Sequence, residues 1–248
     1  MKIVTFNLRS RYKGDGINSF VHRAVLLCDK IEEERPDIIA FQEVKVPHLK
    51  ILERLLPDYV LVGQFRDENY GGEGLYTAVR KDTYQVLGFE TIWLSPTPYL
   101  PGSRYENQSI CPRICLQTMV RSCESGDVIR IFNLHLDHIS EEAKLCGMEA
   151  ALSYTEEFKS KGNHPYVILG DFNSYPNSEV IRLCLDRDLF DVTEKIPVSF
   201  HKFGTTTVKI DYIFMSREIA GKAKNVQVWA EEENGIYLSD HYPICAEI

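Results

Sequence analysis

Residues 166–173 read Tyr166-Val167-Ile168-Leu169-Gly170-Asp171-Phe172-Asn173. The apolar run Tyr166–Leu169 has the composition of a short buried strand. The Gly-Asp-x-Asn behind it is turn chemistry that carries two polar side chains. The same pattern recurs along the chain. Asn7 follows Ile3–Phe6, and Gln42-Glu43 follows Ile38–Phe41. His135 and Asp137 sit at the end of Ile129–Leu136. Asp211 opens a strand after Lys209-Ile210, and Ser239-Asp240-His241 precedes the last apolar run. One polar strand end says little. Six of them, nearly all carboxylate, amide or imidazole, predict a site assembled at one rim of a strand sandwich.

Short apolar runs alternate with helical patterns over the whole length. Strands are expected at Ile3–Asn7, Asp37–Phe41, Tyr59–Gly63, Leu75–Arg80 and Val86–Leu94. Arg113–Arg121 and Val128–Leu136 form a hairpin across Glu124-Ser125-Gly126-Asp127. Tyr166–Leu169, Asp211–Met215, Val226–Ala230 and Ile244–Ile248 complete the strand set. Helical spacing marks Ser19–Glu34, with Ser19 as N-cap, and His48–Leu56, stopped by Pro57. It also marks Glu141–Lys159 and Asn177–Asp186. Ser95–Asn107 is a Pro, Gly and Ser loop. Helices cluster in two places and strands dominate elsewhere. Two strand layers face to face with helices outside fit this order better than a regular βαβ barrel.

The chain has 248 residues, within reach of one domain, and no internal repeat. Its 44% hydrophobic and 26% charged residues exclude disorder, collagen and coiled coil. No apolar run approaches the ~18 residues of a membrane span, and Met1 leads straight into a strand rather than a signal peptide. The seven cysteines are odd in number and make no zinc pattern, so they read as free thiols of a reducing compartment. A cytoplasmic monomer is expected. The net charge of −8 argues against a broad basic face that coats nucleic acid.

The chemistry of the polar set narrows further. The chain has no Gly-rich phosphate loop and no G-x-S-x-G elbow, so covalent catalysis is not favoured. Carboxylates with an Asn suit oxygen coordination of Mg²⁺ or Mn²⁺. Histidines beside acidic residues suit phosphate binding and proton transfer. Together they make a kit for phosphoester hydrolysis. Each residue alone has a plainer reading. Asn7 is also a turn residue, Gln42-Glu43 a solvated pair, and Asp240-His241 a structural hydrogen bond. Asp137 and His138 are read as polar hairpin ends outside the site.

Thr5-Phe6-Asn7, Gln42-Glu43, Asn133-Leu134-His135, Gly170-Asp171-Phe172-Asn173, Ile210-Asp211-Tyr212-Ile213 and Ser239-Asp240-His241-Tyr242-Pro243 occur in that order. In this the chain resembles the endonuclease/exonuclease/phosphatase superfamily, from Asn7 to His241. Pancreatic deoxyribonuclease, apurinic endonucleases, neutral sphingomyelinases, deadenylases and inositol-polyphosphate phosphatases belong to it. The sequence looks most like bacterial members of unassigned activity. The resemblance implies an α/β fold, a four-layer αββα sandwich of two mixed sheets, and Mg²⁺- or Mn²⁺-dependent cleavage of a P–O bond. It makes Glu43 the principal metal ligand, with Asn7 beside it and Asp240 as a further metal-side carboxylate. Asp171 activates or positions water and Asn173 is its partner on the phosphate. Asp211 orients His241, which contacts the scissile phosphate, and the base is left open between Asp171 and His241. His135 matches members that use His here. In those a Glu seven residues before a strand Arg pairs with it, which points to Glu73 ahead of Arg80.

Arg9, Arg11, Lys13 and Asp15, with Arg104 and Arg113, are expected to border the rim, either as solvated loop charges or as readers of a second phosphate. The expected partner is a small or locally recognised phosphoester. A sequence-independent nuclease is the alternative, and a binding module that has lost catalysis a third.

Overall fold

The computed structural model describes residues 1–10 and 13–248. In chain order the elements begin β1 (Lys2–Asn7), α1 (Phe20–Glu34), β2 (Ile38–Val44), α2 (Val46–Leu55), β3 (Tyr59–Phe65), β4 (Gly74–Arg80) and β5 (Tyr84–Trp93). They continue β6 (Ile114–Ser122), β7 (Val128–His135), α3 (Glu141–Lys161), β8 (Tyr166–Asp171), α4 (Glu179–Asp186), β9 (Leu189–Asp191) and β10 (Asp211–Ser216). The last are α5 (Arg217–Ala220), β11 (Lys224–Val228), a small hairpin of β12 (Glu232–Glu233) and β13 (Ile236–Tyr237), and β14 (Ile244–Glu247).

Two six-stranded sheets result, ordered β11-β14-β1-β2-β4-β3 and β5-β6-β7-β8-β10-β9. Each contains one parallel pair, β1 with β2 and β7 with β8, among antiparallel neighbours. The expected four-layer αββα sandwich is therefore present. Alternation explains how the layers bury themselves. Along β2, Ile38 and Ala40 face the other sheet, while Ile39 and Phe41 face the outer helices with Phe20, Leu27 and Leu52. Along β8, Val167 and Leu169 face inward, while Ile168 meets Met148, Leu152 and Cys184 from α3 and α4. Strands buried on both faces lose the polar alternation of a half-exposed strand, which is why these segments read as continuous apolar runs.

Element boundaries moved in instructive ways. β2 continues through Gln42-Glu43 to Val44, past the expected end at Phe41. α2 starts at Val46 because Pro47 fits the first turn of a helix, where its missing N–H costs nothing. Ser19 is the N-cap residue of α1, but its hydroxyl accepts from the Asp15 amide rather than from the helix. The three-residue β9 carries too little pattern to be seen in sequence and exists because β10 offers it an edge.

The core between the sheets includes a polar clamp. Gln42 Nε2 donates to Asn133 Oδ1 at 2.8 Å and to the Ala40 carbonyl at 2.9 Å. Asn133 Nδ2 in turn donates to the carbonyls of Phe41 (3.0 Å) and Tyr76 (3.3 Å). Both residues are fully buried. A satisfied polar network of this kind permits one sliding register of sheet on sheet, since any shift would leave buried amides unpaired.

Candidate active site

The strand pairing sets the site. β1 and β2 run parallel with Asn7 opposite Gln42, and β7 and β8 run parallel with His135 opposite Asp171. β10 runs antiparallel to β8 with Asp211 opposite Asp171, so the first residue of β10 reaches the same rim. Glu43 requires a further device. The β2–β4 register shifts between Phe41 and Val44, and Glu43 has φ +58°. A bulge with one left-handed residue re-aims a side chain that strict alternation would send elsewhere. Asn173, two residues past the end of β8, is also left-handed, at φ +48°.

Glu43, His135, Asp171 and Asn173 line a cavity of about 410 Å³ at the rim, together with Arg9, Arg66, Arg113, His138, Phe200, Asp240 and His241, while Asn7, Gln42 and Asp211 lie buried behind that lining. Behind this lining the buried Asn7 donates from Nδ2 to Glu43 Oε1 (3.1 Å) and to Asp171 Oδ2 (2.9 Å). The Asn7 oxygen accepts from the Arg9 amide at 2.9 Å. Asn7 therefore clamps two carboxylates as a donor, with its oxygen turned away from them. Glu43 Oε2 accepts from the Ser10 amide at 2.7 Å. Asp171 Oδ1 accepts from the Asn173 amide at 2.9 Å, and Asn173 Nδ2 donates to the Leu136 carbonyl. Asp171 Oδ2 lies 3.4 Å from His135 Nε2 and 3.9 Å from His241 Nε2. His241 Nδ1 contacts Asp211 Oδ2 at 2.8 Å.

Electrostatics separate these groups. Burial, together with the Asp211 charge, pushes Asp171 up to about 7, against the pull of His241. Burial alone would lower His241, but Asp211, then Asp171 and Asp240, outweigh it and hold the ring up at about 10. Burial drives His135 well below its ordinary value, reinforced by Arg113 and Arg66. One imidazolium and one neutral imidazole thus flank a carboxyl group poised near neutrality, a pairing suited to acid–base work.

Glu43, His135 and Asp171 offer ligand atoms within 4.8 Å of one another, as do Asp171, Asp211 and His241. Hard carboxylate oxygens converging at this spacing fit a divalent cation of the Mg²⁺ or Mn²⁺ kind. Asp240 contributes to neither cluster among the described residues; its Oδ2 sits 3.4 Å from Arg9 Nη1. Glu73 lines the cavity mouth, but Arg66 Nη1 holds its carboxylate at 2.6 Å, and among the described residues no Glu73–His135 pair forms. The long Arg66 side chain reaches Glu73 first, and His135 turns to Asp171 instead.

The rim arginines divide sharply. Arg9 is tied to Asp15 and Asp240, and Arg104 is exposed away from the cavity wall. Arg113 is buried in the wall, and Arg11 lies outside the described residues. Sequence reading passed over Phe200, whose ring lies 4.7 Å from that of His241 and whose backbone pairs with it. It also passed over Arg23, fully buried on α1. Arg23 donates from Nε to the Asn18 carbonyl (2.7 Å), from Nη2 to the Leu8 carbonyl (2.8 Å), and from Nη1 to the Leu238 carbonyl. It thereby staples the segments that follow Asn7 and precede Asp240-His241. An apolar-periodic helix hides such a residue, because its partners are distant backbone groups with no signature in sequence.

The model of the endonuclease/exonuclease/phosphatase family matches residues 4–241. The chain belongs to that family. A family structure from Bacteroides vulgatus superposes with a TM-score of 0.89 at 28% identity, over 99% of this chain and 97% of the other. A mannosyl-6-phosphatase of Bacteroides thetaiotaomicron has the same fold, with a TM-score of 0.87 at 24% identity over 100% and 98% of the two chains. Nocturnin of Drosophila melanogaster is 24% identical over 211 residues, which are 76% of this chain but 31% of that protein, so the chain spans about a third of this curated relative. Family membership accounts for the order in which the rim residues occur. Among the described residues no helix is long and apolar enough to cross a membrane.

Proposed function

We propose that residues 1–248 form one metal-assisted phosphoester hydrolase domain acting on a small or locally recognised substrate. The observation that carries this reading is the convergence of Glu43 and the Asp211–His241 pair on Asp171, with two of the contributing segments held at positive φ. A divalent cation held by Glu43, with Asp171 across the floor, would neutralise phosphate oxygens there. The Asn173 amide holds Asp171 Oδ1, and Oδ2, which accepts from Asn7 Nδ2, has a second lone pair for a proton from attacking water. The new P–O bond forms as the bond to the leaving oxygen breaks. Asp211 fixes His241 Nδ1, so that Nε2–H faces the cavity and donates to the developing charge. Phe200 covers the ring and limits its rotation. The mannosyl-6-phosphatase neighbour and the net charge of −8 both support a small phosphoester over long duplex DNA.

The test is turnover of aryl phosphomonoesters and phosphodiesters, sugar phosphates, DNA and RNA, with Mg²⁺ and with excess chelator. Hydrolysis of a small phosphoester that chelation abolishes, and that His241→Ala lowers by ~10²–10⁴-fold, is the expected result. Full activity in chelator would refute the metal role. Plasmid nicking with a steep salt slope and negligible small-molecule turnover would replace the proposed substrate class with nucleic acid.

A further inference from the structure

Arg113 is 4% exposed, yet among the described residues only one of its three guanidinium nitrogens has a hydrogen-bond partner. Nη2 contacts His138 Nδ1 at 2.8 Å, while Nε and Nη1 make no hydrogen bond to another described residue. The nearest carboxylate oxygen, Asp137 Oδ1, is 3.8 Å away. Asp137 is already engaged elsewhere. It accepts from the Ser109 hydroxyl and from the amides of Ile139 (3.1 Å) and Ser140 (2.9 Å), which fastens the loop before β6 to the loop after β7. Arg66 stands beside Arg113, with its own Nε unpaired and Glu73 as its only close carboxylate among the described residues. Both guanidiniums line a cavity of about 10 Å³, room for one water, which also touches Glu43 and His135, and both line the large cavity. Two adjacent buried cations with donors unmet by protein groups are costly, and a bound anion would offset that cost. His138 adds a donor. Burial and Arg113 keep this half-exposed ring below its ordinary pKa, and a neutral ring that accepts at Nδ1 carries its proton on Nε2.

We propose that Arg113, His138 and Arg66 form an anion subsite adjoining the reaction centre, which takes a second acidic group of the substrate. This deepens the reading of the site as a phosphoester hydrolase and rests on it. The subsite makes the substrate doubly acidic: one phosphate at Asp171 and His241, and a second phosphate or carboxylate at Arg113. Asp137 acts as a positioning residue that holds both loops. Charge-assisted hydrogen bonds of this kind favour the doubly acidic ligand by ~10–100-fold.

Binding is measured by titration calorimetry with Mg²⁺ in an Asp171→Asn background, which stops turnover. Glycerol 3-phosphate carries one acidic group, 3-phosphoglycerate adds a carboxylate and glycerol 1,3-bisphosphate adds a phosphate. The expected result is ~10–100-fold tighter binding of at least one doubly acidic ligand, with the preferred one identifying the second group. Arg113→Gln should bring that ratio near one, and Arg113→Lys should restore part of it. Equal affinity for all three ligands in the Asp171→Asn protein overturns the subsite even if Arg113→Gln fails to fold. A ratio that survives Arg113→Gln also overturns it. Absence of wild-type turnover on every phosphoester, with the affinity ratio intact, would instead sink the hydrolase reading and leave an anion-binding site.

Discussion

Replacing Arg23 with Met removes a guanidinium that serves three buried carbonyls, those of Leu8, Asn18 and Leu238. Each orphaned acceptor costs ~1–3 kcal/mol, so the loss is roughly 3–9 kcal/mol. An opposing effect is legible in the same residue. Burial pulls Arg23 from 12.5 down to about 10, so holding its charge in the protein costs on the order of 3 kcal/mol, which Met does not incur. The difference is a net destabilisation of about 0–6 kcal/mol, centred near 3 kcal/mol. It falls on the two segments that flank Asn7 and Asp240-His241. Urea unfolding of Arg23→Met should show a clearly lower midpoint at an unchanged slope. Turnover should drop further than stability does, because the segments lose their mutual register before the sheets separate. Arg23→Lys keeps the charge but cannot span three carbonyls, and should fall between Met and wild type. A Met variant as stable as wild type with the same kcat/KM would refute the staple.

Three further outcomes follow from the geometry. A Cβ on Gly170, at φ +142°, would lie 1.9 Å from the Leu134 carbonyl oxygen, so Gly170→Ala should destabilise by ~3 kcal/mol or more and displace Asp171; a thermal melt within 2 °C of wild type would contradict this. His48 is held by burial at about 4, below the ~6.5 of an unfolded chain. Between pH 6.5 and 4 the unfolded chain takes a proton that the folded protein refuses. Stability is therefore full above pH 6.5 and declines toward pH 4, by ~3 kcal/mol from this group. Urea midpoints across that window should fall more steeply for wild type than for His48→Gln, and parallel slopes would exclude the assignment. Asp211→Asn should lower the His241 pKa by ~1–3 units in metal-free protein, read from ring resonances by NMR; an unmoved titration would remove Asp211 as the orienting group.

Much of this protein is written locally. The apolar runs around Ile3, Ile38 and Val167 are buried on both faces, so their composition announced strands and their number announced two packed sheets. Asn7, Glu43, His135, Asp171, Asp211 and His241 stand at or near strand ends in sequence and at one rim in space, because parallel β1–β2 and β7–β8 pairs put like ends together and antiparallel β10 and β14 bring their starts to the same rim. The resemblance pointed Glu73 to His135, whereas in the fold the Glu73 carboxylate is held by Arg66, a partner that neither the resemblance nor local pattern named. Local pattern was blank at His138 and Asp137, which read as hairpin polars and in the fold hold Arg113 and the loops around it.

The sequence by itself determined the order of the longer strands and helices, the sandwich class and the polar residues available at the rim, since these rest on periodicity and turn chemistry within about ten residues; the short β9, α5, β12 and β13 were not legible there. Tertiary structure alone decided the bulge that turns Glu43 into the cavity, the donor role of Asn7 between Glu43 and Asp171, and the Gln42–Asn133 clamp between sheets. It also decided the burial of Arg113 with unmet donors and the reach of Arg23 to Leu238. These depend on partners 36 to 215 residues apart, or on a backbone angle that a single residue type does not specify. Hydrogen bonds and desolvation act at ~3 Å in space, and only the folded chain sets which groups come that close.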